Sequence, residues 1–302
     1  MKSNRPGKVC EGLWYLGRTE SGVYWLQGSD MALMISGGTS YIAADVTHQI
    51  KQFGLQEDAL KGILILHAHF DHVGVVPHFK RRHPDLTVYA SKRAWELLVS
   101  RKVVETINQF SRSVAERMGM TDVLNTWELD WPVGLSGQEV GEGALISLGG
   151  QDIRVLETPG HSSCSISAYA PGIKALFPSD GGGIPYGQTI LSAGNSNYTR
   201  YQQSLERLQD LDVDYLCADH YGYLWGDEAR TFIRRSIEAA ALERARMEEA
   251  YTRNRDVESA AREITSSFLA EHPEYFLPAD IYMGIVRQMV RHLSACMDSP
   301  PD

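Results

Sequence analysis

Three imidazoles and a carboxylate fall within six residues, in His67-Ala68-His69-Phe70-Asp71-His72. Imidazole nitrogen and carboxylate oxygen are the usual ligands of borderline divalent ions such as zinc and iron. Crowding them onto one tight turn serves little structural purpose, so the turn reads as a metal site. Two more histidines follow the same pattern: His161 ends Thr158-Pro159-Gly160-His161, and His220 lies in Ala218-Asp219-His220-Tyr221-Gly222. Between them Asp180 opens a glycine-rich loop, Pro178-Ser179-Asp180-Gly181-Gly182-Gly183.

The elements that must hold these groups are short apolar runs. Ile63-Leu64-Ile65-Leu66 reads as a buried strand ending at the histidine turn. Residues 153–156, Ala175-Leu176-Phe177 and residues 213–217 lead in the same way to His161, Asp180 and His220. Each candidate ligand is therefore expected just past a strand end, where a rigid scaffold holds it and leaves one side open.

The order H-x-H-x-D-H, G-H, S-D, D-H resembles the metallo-β-lactamase superfamily over roughly residues 13–225. That resemblance implies an αββα sandwich of the α/β class and two divalent metal ions, zinc or iron. It assigns His67, His69 and His161 to one ion and Asp71, His72 and His220 to the other, with Asp180 bridging. Members that degrade antibiotics use a cysteine where this chain has Asp180, so the pattern looks like the hydrolase branch with thioesterases and glyoxalase II-like enzymes. Tyr275-Phe276-Leu277-Pro278-Ala279-Asp280 followed by an amphipathic tail is similar in layout to quinolone-signal response thioesterase-like proteins, which add C-terminal helices.

Two ions at such a site would ionise a bridging water near neutral pH, polarise a substrate carbonyl and stabilise its oxyanion. Asp71 would orient the resulting hydroxide and accept its proton. An acyl thioester of coenzyme A type fits well, because thiolate leaves with little protonation, and an aromatic or otherwise apolar acyl group is expected. A lactone or ester hydrolase, a glyoxalase II-like hydrolase and a regulatory binding protein that retains its metals are the alternatives. The lysine and asparagine signature that grips glutathione is not evident. A flavodiiron-like oxidoreductase would carry glutamate where this chain has His69, with an added flavin domain. Tyr186 beside the glycine-rich loop, Tyr221 beside His220 and Tyr282 on the last helix are candidate substrate contacts.

Composition narrows the partners. With 302 residues, 43% apolar, 22% charged and a net charge of −9, the chain is an ordinary globular protein without the basic surface that nucleic acid requires. No run approaches the ~20 apolar residues of a membrane span, and residues 1–7 lack the apolar core of a signal peptide. A small-molecule substrate, a cytoplasmic location and a homodimer are expected. Cys10, Cys164, Cys217 and Cys296 form no C-x-x-C pair; Cys164 and Cys217 read as small buried hydrophobes in strand-like runs.

Along the rest of the chain, residues 13–16, 22–26, 32–35 and 41–44 read as short strands in antiparallel hairpins. Asp45 then reads as a helix N-cap, or, as the resemblance to the superfamily implies, as an acid supporting the metal ligands. Helices are expected over 73–82, 92–98 and 102–120, the last with Val103, Ile107, Phe110, Val114 and Met118 on one face, and a strand over 86–90. Tyr198, Tyr201, Leu205 and Leu208 mark another amphipathic helix. His78 and His83 read as surface groups or as supports behind the ligands, the run Lys80-Arg81-Arg82 as a solvated helix end or an attractor for a phosphate-bearing substrate such as coenzyme A, and His48, His272 and His292 have no partner pattern. The division expected is a catalytic domain at 1–225 and a helical extension at 226–302, over 227–252, 256–271 and 279–297, capping or flanking the site. Its last helix carries Ile281, Ile285, Met289 and Leu293 as a stripe.

Overall fold

A computed structural model describes residues 1–298. The strands in chain order are β1 (Lys2–Ser3), β2 (Gly7–Cys10), β3 (Leu13–Gly17), β4 (Gly22–Gln27), β5 (Ala32–Ile35), β6 (Leu60–Leu64), β7 (Thr87–Ser91) and β8 (Gln138–Val140). They continue as β9 (Leu145–Ser147), β10 (Asp152–Glu157), β11 (Ile166–Ala170), β12 (Ala175–Phe177), β13 (Ile184–Tyr186), β14 (Thr189–Leu191), β15 (Tyr215–Cys217) and β16 (Tyr223–Trp225). The α-helices are α1 (Ala43–Gln52), α2 (Val76–Arg82), α3 (Lys92–Leu98), α4 (Arg101–Arg117), α5 (Thr121–Trp127), α6 (Tyr198–Leu208), α7 (Asp227–Asn254), α8 (Val257–Glu271) and α9 (Ala279–Asp298).

One seven-stranded sheet runs β2-β3-β4-β5-β6-β7-β8 and a second β1-β16-β15-β12-β11-β10-β9, while β13 and β14 pair as a separate antiparallel hairpin. In the first, β2 to β5 are antiparallel hairpin neighbours and β5 to β8 pair in parallel. The second is antiparallel except between β12 and β15. Side chains alternate along a strand, and the two inner faces close on each other: Leu13, Tyr15, Tyr24, Leu33 and Leu64 meet Ile153, Val155, Ile166, Phe177 and Cys217.

The outer faces are covered by helices. Val23, Trp25 and Met34 pack under the layer of Val46, Val76, Phe79, Ala94 and Val104, while Leu176, Leu216 and Leu224 pack under Leu208, Ala229, Phe232 and Ile233. The result is the expected αββα sandwich, with a C-terminal helical region whose Met247, Ile264, Met289 and Leu293 form a further core with Tyr198 and Tyr201 of α6. Of the last helix's expected stripe, Ile281, Met289 and Leu293 are buried and Ile285 is partly buried. None of the helices described is long and apolar enough to cross a membrane.

Several local expectations are corrected. Residues 41–44 are not a strand: Ser36 and Gly38 take positive φ angles, a 3-10 turn over Ser40–Ile42 follows, and Ala43 begins α1. Ile42, Val46 and Ile50, buried at steps of four, carry the helical period that outweighs the β-forming side chains. Asp45 lies inside that helix, where it pairs with Arg18 at 2.7 Å; it neither caps the helix nor touches the ligand set. The helix after the histidine turn begins at Val76, since a 3-10 turn and Gly74 intervene, and Gly119 at φ +67° separates α4 from α5. Cys164 is buried as expected but sits in the turn before β11, where its sulfur accepts the Ala68 N–H at 3.3 Å.

Gly74 joins the first helical layer to the histidine turn. Its N–H donates to the Gly38 carbonyl at 2.8 Å, the Val75 N–H to Gly37 at 2.9 Å, and the Gly37 N–H to His72 at 2.9 Å. A Cβ at position 74 would lie 2.1 Å from the Ser40 nitrogen, and backbone cannot swing aside as a side chain can. We expect Gly74→Ala to lower stability by about 2 kcal/mol or more. Gly284→Ala, inside α9 with open space around it, should instead raise stability by about 0.5–1 kcal/mol. Urea midpoints measure both, and equal midpoints for the two variants would contradict this account.

Candidate metal centre

The strand ends bring together all seven residues that carry the sequence pattern. His67 and His69 follow β6, and the 3-10 turn Phe70–His72 presents Asp71 and His72 beside them. His161 enters from the loop between β10 and β11, Asp180 from the 3-10 turn after β12, and His220 from the loop between β15 and β16. His69 is the most exposed of the seven; the others are buried.

His161 Nε2 lies 3.1 Å from His67 Nε2 and 3.0 Å from His69 Nδ1. Across the site His220 Nε2 lies 3.2 Å from His72 Nε2, and Asp71 places its oxygens 3.6 Å from His220 and 3.7 Å from His72. Asp180 reaches both groups. Its Oδ2 lies 3.3 Å from His72 Nε2 and 3.5 Å from His161 Nε2, and its Oδ1 lies 3.6 Å from His220 Nε2.

Hydrogen bonds on the far side of the rings decide which nitrogens carry protons. His161 Nδ1 faces the Ala193 carbonyl at 2.7 Å, and His220 Nδ1 faces the Glu20 carbonyl at 2.6 Å. A carbonyl only accepts, so both Nδ1 atoms donate and both Nε2 atoms turn lone pairs inward. His72 Nδ1 donates to Asp219 Oδ2 at 2.8 Å. The Ser179 hydroxyl spends its proton on the same Asp219 oxygen at 2.5 Å, so at 3.2 Å it accepts from His67 Nδ1. Imidazole lone pairs from both sides, with carboxylate oxygens between them, form a donor set that fits a divalent cation.

Burial and neighbouring charge act in opposite directions on these rings. Burial holds His67 and His69 below the ordinary imidazole range and brings His161 down to about 3. His72 is also buried, but the carboxylates of Asp180 and Asp71 push it well above that range. Asp180 in turn stays ionised far below the usual carboxylate range, because His72 and His220 overcome the cost of its burial.

The other candidates have different partners. His78 contacts Thr47 Oγ1 at 3.3 Å and the ring of Trp127, and His83 pairs with Glu57 at 2.9 Å. Lys80 bonds the Pro84 and Leu86 carbonyls, Arg81 the Trp127 and Glu128 carbonyls, and Arg82 the Glu57 carboxylate. Tyr186, Tyr221 and Tyr282 all line a cavity of about 1070 Å³, which they share with Phe268, His272 and Phe276. None of the seven clustered residues lines it; Phe276 adjoins both, its ring 5.2 Å from that of His220.

Sequence reasoning missed Ser179 and Asp219 as supports and Tyr275 and Phe276 as the buried cover beside His220. Each of the first two immediately precedes a ligand candidate in the chain, a signal that was available. The carbonyls of Glu20 and Ala193 had none.

The shifts set the pH response of the metal-free protein. Unfolded imidazoles take up protons near pH 6.5, whereas His67, His69 and His161, desolvated in the folded chain, do not, and His78, brought down to about 4 by desolvation, adds to them. The unfolded chain then binds more protons, so stability falls as pH falls through about 6.5. His72 has the opposite sign: its contribution is full below the unfolded pKa and is lost as pH rises through its raised folded value. The depressed group is the larger, so chelator-treated protein should melt at a lower temperature at pH 5.5 than at pH 7.5. A higher Tm at pH 5.5 would overturn this reading.

Comparison with known proteins agrees with the geometry. A metallo-β-lactamase family protein from Thermus thermophilus superposes with a TM-score of 0.68 at 20% identity, covering 96% of this chain and 95% of that one. An archaeal metallo-β-lactamase superfamily protein from Sulfolobus tokodaii gives 0.56 at 21% identity, covering 76% and 86%. A subclass B3 metallo-β-lactamase of Bradyrhizobium japonicum gives 0.55 at 17%, covering 82% and 94%. These likenesses concern the fold. The family model of the metallo-β-lactamase superfamily matches residues 16–220, a span that contains all seven clustered residues, and the chain belongs to that superfamily.

Proposed function

We propose that this metal hydrolase is dinuclear and cleaves an acyl thioester. The observation that carries the reading is Asp180: one carboxylate stands within 3.6 Å of His161 on one side and of His72 and His220 on the other. In this reading His67, His69 and His161 hold one cation, Asp71, His72 and His220 the other, and Asp180 both. Zinc or iron suits nitrogen and oxygen donors of this kind. Bound there, divalent cations supply Lewis acidity toward a carbonyl oxygen and lower the pKa of water.

The chain's own residues do the rest. Asp71 is the carboxylate beside His72 and His220 that can hold a proton on either oxygen as substrate reacts. The Tyr186 hydroxyl donates to Glu274 Oε1 at 3.4 Å, so Tyr186 offers its ring to substrate. That ring lies 4.9 Å from the ring of Tyr221, and Tyr282 stacks on Phe268 at 4.5 Å. An aromatic wall suits an aromatic or apolar acyl group, and a thioester suits a site whose leaving group departs as thiolate. The resemblance of residues 275–280 and the helical tail to quinolone-signal response thioesterase-like proteins, read from the sequence, points to the same substrate class. Four free cysteines are consistent with work in a reducing, cytoplasmic compartment.

Purified protein should contain two equivalents of zinc or iron by elemental analysis and hydrolyse members of an aromatic and aliphatic acyl-CoA panel. His69→Ala and Asp180→Ala should each lower kcat/KM by at least about 100-fold, equivalent to about 2.7 kcal/mol of transition-state stabilisation. Turnover of lactones or S-lactoylglutathione in preference to acyl-CoA would replace the thioester assignment. Full metal occupancy with no turnover on any of these would favour a binding protein.

A further inference from the structure

Asp219 is buried, 1% exposed, and contributes no oxygen to the three ligand groups. Its Oδ2 accepts two hydrogen bonds, from His72 Nδ1 at 2.8 Å and from Ser179 Oγ at 2.5 Å. Its Oδ1 is buried with no hydrogen-bond partner among the described residues. Burying a carboxylate with half its acceptor capacity unused costs stability, so packing alone is a poor reason for an acid here.

The Ser179 hydroxyl, having given its proton to Asp219, accepts from His67 Nδ1 at 3.2 Å. A single carboxylate oxygen is thus tied to an imidazole in each half of the site, directly to His72 and through one hydroxyl to His67. Ser179 itself sits at φ +50°, a left-handed conformation that glycine adopts more easily. Retaining a side chain there makes sense if its hydroxyl is needed.

From this arrangement we propose that Asp219, acting through Ser179, is a positioning residue that orients ligand imidazoles of both cation sites from one oxygen atom. The proposal rests on the metal-holding reading of the seven clustered residues and adds to it a physical link between the two halves. Each hydrogen bond keeps the proton on Nδ1, aims the Nε2 lone pair inward and makes the imidazole a better donor. Asp219 would act on both sites, whereas Ser179 would act only on the site of His67.

Co(II) titration against a competing chelator, followed by visible absorption, tests this without any substrate. His69→Ala leaves the Asp71, His72 and His220 group intact, and His220→Ala leaves the His67, His69 and His161 group. Asp219→Asn should weaken Co(II) binding by about tenfold or more in both backgrounds. Ser179→Gly should weaken it in the His220→Ala background alone, while leaving the metal-free Tm equal or higher as the left-handed backbone relaxes. A purely structural role for the pair predicts the reverse, a lower metal-free Tm with unchanged Co(II) affinity. Weakening by Asp219→Asn in only one background, or full affinity in Ser179→Gly, overturns the proposal. If Asp219→Asn does not fold, Ser179→Gly decides on its own. A wild-type chain that binds no Co(II) refutes the metal reading beneath it, a result distinct from all of these.

Discussion

The constraint on which the site depends is directional: imidazole nitrogens must face inward as bare lone pairs while their outer N–H groups are anchored. Backbone carbonyls anchor His161 and His220, and the Asp219 and Ser179 pair anchors His67 and His72. If an anchor accepted only weakly, its ring could turn its N–H into the site and repel a cation. The sandwich supplies these anchors because its strand ends lie side by side: Glu20 from the β3–β4 hairpin, Ala193 from the loop after β14, and Asp219 from the end of β15.

That arrangement places strong charges where water is scarce, and the protein balances them internally. The carboxylates of Asp180 and Asp71 favour the charged form of His72, while desolvation favours the neutral forms of His67, His69 and His161. A cation entering such a site replaces the proton on His72 as the partner of the acids, so uptake and proton release are linked. The surrounding apolar layers keep the balance sharp, because opposite charges attract more strongly in a medium of low dielectric.

Much of this was legible in the chain. Side-chain type, spacing and the apolar runs before each of these residues are local features, and they point to the seven residues that the fold brings together, to the strand ends and to the long C-terminal helices. The strand expected at residues 41–44 failed because Tyr41 and Ile42 have β-forming side chains, whereas the turn at Ser36 and Gly38 had already redirected the backbone. The anchors were harder. Every residue has a carbonyl, so nothing marks those of Glu20 and Ala193, and their roles arise from neighbours that lie 200 and 32 positions away in the chain. The cover of Tyr275 and Phe276 was likewise hidden, since an aromatic pair after a helix looks the same whether it closes a site or a core.

The cover has a kinetic consequence. Phe276 lies against His220, Tyr275 and Leu277 are buried beside it, and Arg117 of α4 holds the Tyr275 and Pro273 carbonyls. These residues screen the His220 side of the site, whereas His69 on the other side is partly exposed, so a cation beside His220 is better shielded from solvent than one beside His69. A chelator would then strip the His69 side first, and an ion acquired early beside His220 could persist after a better-matched competitor became abundant.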